Sequence, residues 1–98
     1  MLVDVRGEID IDSAPELDAV IRSHCDEGTS SVVLDLTEVT FMGSTGVNLL
    51  VALKIDCERR GIDLRLVASS RAVLHPLELT GLEGEFVIVA DVEAVEAG

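Results

Sequence analysis

The residues best placed to do chemistry are Ser44 and Thr45, held between Gly43 and Gly46. They follow a nearly continuous apolar run, Val32, Val33, Leu34 and Leu36, of the kind that a strand covered on both faces presents. Phe41 and Met42 come next, and beyond the turn Val47, Leu50, Val51 and Ile55 recur at helical spacing. A buried strand therefore hands over to a helix through a small polar turn. The first helical N–H groups of such a junction point outward unpaired, so the Ser44 hydroxyl is expected to cap them, and an added anion there is stabilised. Two readings of the glycines stand side by side: a cradle for phosphate, or a tight turn that binds nothing.

Other constellations carry less. Met42-Gly43-Ser44-Thr45-Gly46 does not fit the nucleophile elbow G-x-S-x-G, and the Walker pattern with its lysine is absent. Asp4, Glu8, Asp10 and Asp12 suit a solvated strand edge and loop, and the later Gly and Glu of a calcium loop are missing. Cys25 and Cys57 read as core filler and structural residue, with no Cys-x-x-Cys spacing for zinc, and His24 reads as a solvated helix-end residue. No catalytic residue, metal or cofactor is expected, and the protein is not read as an enzyme.

Composition narrows the partners. At 98 residues the chain has room for one core, and it is expected to be a single domain over residues 1–98 that acts through its surface. With 48% apolar residues, two Phe and no Trp or Tyr, that core must be aliphatic. A formal charge of −12 with 7 Lys and Arg argues against nucleic acid and anionic membranes, and favours basic protein partners. The start MLVDVRGEID carries acids where a secretory leader needs a basic end and an apolar block, and no stretch approaches the length of a membrane span, so a cytoplasmic setting is expected.

The elements that must position the turn follow from periodicity. Met1 to Arg6 alternates as a strand entering a turn at Gly7-Glu8-Ile9-Asp10. Ser13-Ala14-Pro15-Glu16 reads as a capping box, in which the Ser13 hydroxyl takes the N–H of Glu16. The helix it opens buries Leu17, Val20, Ile21 and Cys25, and Gly28 stops it. The second helix spans about Thr45 to Arg60, with Gly61 as its stop, a polar stripe of Asn48, Asp56 and Arg59, and an Asp56–Arg60 pair. Ile62 to Ala68 is a strand, Ser69-Ser70 caps a third helix over Arg71 to Leu79, and Pro76 predicts a kink or an end near His75. Phe86 to Val89 is the last strand, and Asp91 to Val95 begins a short terminal helix. Strand and helix alternate throughout, which predicts a mostly parallel α/β sheet with right-handed crossovers.

LDLTEVTFMGSTGVNLL resembles the signature of STAS domains, in particular the stand-alone bacterial anti-sigma factor antagonists. Gly7-Glu8-Ile9-Asp10, followed by Ala14 and Leu17, and Leu79-Thr80-Gly81-Leu82 resemble two further elements of that family in the same order. The resemblance implies the STAS fold, an α/β structure with a mostly parallel or mixed sheet of four to five strands and about four helices. It also implies a regulator of transcription that works by partner switching: the domain binds an anti-sigma factor that is a serine kinase, and so frees a sigma factor. Phosphorylation of Ser44, with Thr45 as second candidate, ends the interaction. Glu8, Asp10 and Asp12, together with Met42, Gly43, Ser44, Thr45, Gly46 and Asn48, form the implied docking face, and ATP belongs to the partner. Gly43 stands where the family usually has Asp. The family also usually has a strand before Met1, so either the start is placed late or the sheet has an exposed edge that favours weak homodimers. The alternative is a non-phosphorylated scaffold subunit of a signalling or transporter complex.

Overall fold

The computed structural model describes residues 1–93. Its elements are β1 (Leu2–Ile9), α1 (Ser13–His24), β2 (Ser31–Met42), α2 (Ser44–Arg60), β3 (Asp63–Val67), α3 (Arg71–Leu79), a 3-10 turn (Glu83–Glu85) and β4 (Val87–Val89). The expected terminal helix falls at or beyond the end of this range, and residues 94–98 lie outside the described residues. The four strands lie in the order β1-β2-β3-β4, and every neighbouring pair is parallel. Right-handed crossovers that always step the same way place the helices on one face, where α1 touches α2 and α2 touches α3.

Val32, Leu34 and Leu36 of β2 are at most 1% exposed, and Leu66 of β3 with Val73 and Leu77 of α3 join them in an aliphatic core. The alternate β2 residues Val33 and Asp35 remain half-buried, so the strand is not equally covered on both sides as the apolar run suggests.

The structure changes one expectation about the strands and sharpens those for β2 and α3. β1 does not turn at Gly7 but continues to Ile9, with Gly7 inside it at φ 81°. β2 runs on to Met42 because it carries two more residues than β1 over the paired stretch: Asp4 pairs Asp35 but Arg6 pairs Glu38, and Gly7 pairs Val39 but Glu8 pairs Phe41. Each shift is a bulge on β2 that accommodates an extra residue, and Thr37 and Thr40 have no partner in the β1 register while Glu38 stays paired with Arg6. The helix α3 spans Arg71–Leu79 as expected and passes Pro76, so of the two effects expected of the proline the end near His75 does not occur. Val73 and Leu77, both 0% exposed, anchor the turns on either side, and the Thr80 hydroxyl donates to the Pro76 carbonyl at 2.9 Å.

The helix faces also shift. α1 ends at His24, before Gly28, and its buried residues are Ala14 and Ile21, while Val20 is 48% exposed. Among the described residues β1 is the edge strand, and the outer side of α1 has no further strand beneath it. On α2 the buried face runs through Gly46, Leu50, Leu53 and Cys57, leaving Ile55 exposed toward the 3-10 turn. Gly61 ends α2 in the left-handed conformation, φ 70°, as its position predicts.

Candidate functional site

The site forms where β1 and β2 end together. Ile9 pairs with Met42, and the Gly43 N–H donates to the Ile9 carbonyl at 3.2 Å, so the loop after β1 and the turn after β2 share one end of the sheet. In open α/β sheets this carboxyl end is the usual place for binding surfaces.

Gly43 occupies the N-cap of α2 at φ −88°, ψ −173°, and its carbonyl accepts from the N–H groups of Gly46 (3.0 Å) and Val47 (3.2 Å). Ser44 is the first helical residue and makes no side-chain cap bond, which corrects the expectation that its hydroxyl caps the helix. A residue already inside the helix cannot fold its side chain back over the first N–H groups as an N-cap residue can. The hydroxyl is left exposed at the positive end of the helix. Thr45 is half-buried and Asn48, one turn after Ser44, is exposed; both border an apolar groove between α2 and Ala14 and Pro15 of α1.

Gly46 explains why the turn is small. A Cβ there would stand 2.4 Å from Met42 Cγ and 3.0 Å from Ile9 Cγ2, both on buried side chains. The glycine is therefore demanded by packing between α2 and the strand ends, and Met42 and Gly46 support the surface from below. Gly43 is less constrained. Its backbone is extended, and a Cβ would meet only the Phe41 ring at 3.4 Å, an ordinary contact.

The acidic residues separate into two kinds. Asp10 Oδ1 accepts the N–H groups of Asp12 (3.0 Å) and Ser13 (2.9 Å), and these bonds to Ser13 and Asp12 hold its carboxyl below the usual range. Asp10 thus closes the start of α1. The Ser13 hydroxyl accepts from the Asp10 N–H at 2.9 Å and donates to the Glu8 carbonyl at 2.7 Å, so the expected capping box with Glu16 does not form. The competing partners are the Asp10 N–H, which donates to the Ser13 hydroxyl, and the Glu8 carbonyl, which accepts from it; both lie at the end of β1, which continues past Gly7. Glu8 and Asp12 project into solvent beside it.

Two apolar residues at the same end escaped the sequence reading: Ile11, 75% exposed, and Phe41, 51% exposed. Phe41 is turned outward by the second bulge of β2, which periodicity alone does not reveal; being one of two Phe in the chain, beside the turn, was the available signal. Away from the site, burial and then neighbouring Cys25 push the Cys57 thiol up, in keeping with a structural residue. Among the described residues no group of His, Cys, Asp and Glu is arranged to hold a metal, and no helix is long and apolar enough to cross a membrane.

A family model described as the STAS domain matches residues 1–95. The chain belongs to the STAS domain family. This STAS domain is 31% identical over 81 residues to an anti-sigma-B factor antagonist of Staphylococcus aureus, a match covering 83% of this chain and 75% of that one. It is 36% identical over 72 residues to Osmosensory protein A of Mycobacterium tuberculosis, covering 74% of this chain but only 45% of that longer relative. The crystal structure of an anti-sigma factor antagonist from Mycobacterium paratuberculosis superposes with a TM-score of 0.87 at 30% identity, covering 98% of this chain and 81% of that one. The four-stranded parallel sheet with its helices is therefore the STAS fold, as expected, with three α-helices among the described residues.

Proposed function

We propose that this STAS domain is an anti-sigma factor antagonist of the bacterial cytoplasm, without enzymatic activity of its own. In this reading it binds a serine-kinase anti-sigma factor through the surface around the start of α2, and phosphorylation of Ser44 releases it. The observation that carries the proposal is the exposed Ser44 hydroxyl at the first position of α2, in a chain 31% identical to a named anti-sigma-B factor antagonist over 83% of its length.

The chemistry of the switch follows from that position. A phosphate on Ser44 adds about 1.5 to 2 negative charges. The unpaired N–H groups and positive end of α2 accept them within the domain. A partner packed on the turn meets the same charge without that compensation, and a penalty of about 2–3 kcal/mol weakens binding on the order of 30- to 150-fold. The exposed Ile11 and Phe41 supply apolar contact, while Glu8 and Asp12 favour a basic rim on the partner. Asp10 contributes by fixing the loop that presents them.

The test is incubation with the kinase anti-sigma factor of the same genome and ATP, followed by intact mass measurement of wild type, Ser44→Ala and Thr45→Ala. A phosphate adduct lost only in Ser44→Ala supports the switch, and adduct-free wild type that still binds the partner removes it. Gly43, which leaves Ser44 without an adjacent carboxylate, favours a second reading as a non-phosphorylated scaffold subunit. That reading expects no adduct under any condition and stable co-purification with a larger assembly.

A further inference from the structure

The two cysteines stand on different helices, and the fold brings them to the same level. α1 and α2 each leave the carboxyl end of a parallel strand and so run side by side in one direction. Their inner rows match. On α1 the row is Ala14, Leu17, Ile21 and Cys25, on α2 it is Gly46, Leu50, Leu53 and Cys57, and each ends about three turns after it begins. Near the helix starts, Ala14 and Pro15 face Thr45, Asn48 and Leu49 across one groove. Near the other end, Arg22 Nη1 binds Asp56 Oδ2 at 3.0 Å.

That ion pair sits directly beside both thiols. Asp56 precedes Cys57, and the Arg22 carbonyl accepts the Cys25 N–H at 3.3 Å. Cys57 is held in turn by its carbonyl, which accepts the Ile62 N–H at 2.8 Å. Both cysteines are free thiols; Cys57 is 5% exposed in the core, and Cys25 is half-buried where α1 ends. The thiols sense each other, since after burial it is Cys25 that raises the Cys57 thiol, ahead of adjacent Asp56.

We propose that Cys25 and Cys57 form a site of oxidation by peroxide, which joins them in a reversible disulfide between the end of α1 and the last turns of α2. The Cys25 thiolate attacks one oxygen of hydrogen peroxide, the O–O bond breaks, and the departing hydroxide takes up the thiol proton as water. Cys57 then attacks the sulfur of the resulting sulfenic acid. Its S–O bond breaks, and hydroxide leaves with the Cys57 proton as a second water. Two thiols have lost two electrons and one peroxide has gained them. The order follows from place: burial shields Cys57 from the oxidant and keeps it protonated, so it meets only the sulfenic acid. The closed loop contains β2 and the Ser44 turn, so the bond ties the segment that carries the candidate site without depending on any partner.

Reduced protein is treated with hydrogen peroxide, alkylated with iodoacetamide and weighed intact. Expected are the loss of two hydrogens with no alkyl group added, a linked Cys25–Cys57 peptide pair on non-reducing digestion, and reversal by dithiothreitol. The linked form is expected to melt several degrees above the reduced one, because the bond restricts the unfolded chain. Cys57→Ala is expected to stop at a Cys25 sulfenic acid that dimedone traps, and Cys25→Ala to leave Cys57 unoxidised at the same peroxide dose. The wild-type result stands whether or not either variant folds. Wild type alkylated on both cysteines, a disulfide joining two chains, sulfinic acid on Cys25 beside a free Cys57, or a linked form that melts no higher than the reduced one overturns the inference.

Discussion

Two strand–helix junctions of this molecule each bring a serine to the start of a helix and arrive at opposite surfaces. β2 passes into α2 through Gly43 and Ser44, and β3 passes into α3 through Ser69 and Ser70. At the first, the glycine takes the N-cap and the serine hydroxyl is pushed one place into the helix and out to solvent. At the second, Ser70 is itself the N-cap at φ −89°, ψ 153°, its Oγ is buried, and it has no hydrogen-bond partner among the described residues, although Ser69-Ser70 reads as a cap in the sequence. A shift of one residue in where the helix begins separates a hydroxyl that an enzyme can reach from one that it cannot. Chemistry at a strand–helix junction is therefore decided by the register of the cap more than by the presence of serine.

The sharpest way to break this contrast is with the kinase. Ser44→Ala is expected to abolish phosphate incorporation and Ser70→Ala to leave it unchanged, by intact mass after incubation with the partner kinase. Incorporation retained in Ser44→Ala would show that the exposed junction is not the modified one. Because the proposed penalty is 30- to 150-fold in binding, about 2–3 kcal/mol, this is the largest effect anticipated.

Next comes the packing that holds the first junction in place. Gly46→Ala puts a methyl 2.4 Å from Met42 Cγ, where neither buried neighbour is a free chain end, and is expected to cost about 1–3 kcal/mol in chemical denaturation. An alanine accepted without loss would mean that β1, β2 and α2 are not locked together as described. The corresponding turn into α3 contains no glycine, so its close approach is not under the same constraint.

How much of this could be read from the sequence depends on whether the signal was local. The run Val32 to Leu36, the span of α2 and the Gly61 stop depend on local pattern, and all reappear in the fold. The bulges within β2 were hidden because Thr37, Glu38 and Thr40 only interrupt the apolar run, and the register against the neighbouring β1 is what shows them. Val20 looked buried because helical period reports the direction of a stripe, not whether a strand lies under it. Ser13 matched a capping box in spacing, but the nearby strand end offered its hydroxyl other partners. At the site, the order of elements already placed Glu8 to Asp12 and Gly43 to Asn48 together, whereas the exposure of Phe41 and Ile11 depended on the bulge and loop geometry.

A third junction, from β1 into α1, extends the comparison to a carboxylate cap. Asp10 is held ionised by the N–H groups of Ser13 and Asp12, so its folded pKa lies below the unfolded value. Its contribution to stability is complete above the unfolded pKa of about 4 and is lost as pH falls through the folded one. Asp10→Ala is thus expected to melt a few degrees below wild type near neutrality, and the gap should close in acid. A gap that stayed constant with pH would assign the loss to packing instead of the charge.

The smallest effects distinguish the two serine junctions by their caps. Gly43→Asp introduces a better N-cap in a backbone that any residue adopts, with only the Phe41 ring nearby, and is expected to stabilise by a few tenths of a kcal/mol. Removing a working serine cap usually costs about 1 kcal/mol, but the Ser70 hydroxyl makes no such bond, so Ser70→Ala is expected to change stability by less than about 0.5 kcal/mol. Its sign is informative, since deleting a buried group without a partner relieves a desolvation cost while deleting a real cap only loses. A loss near 1 kcal/mol would show that the Ser70 hydroxyl turns to cap α3 in solution, and the two junctions would then differ in exposure alone.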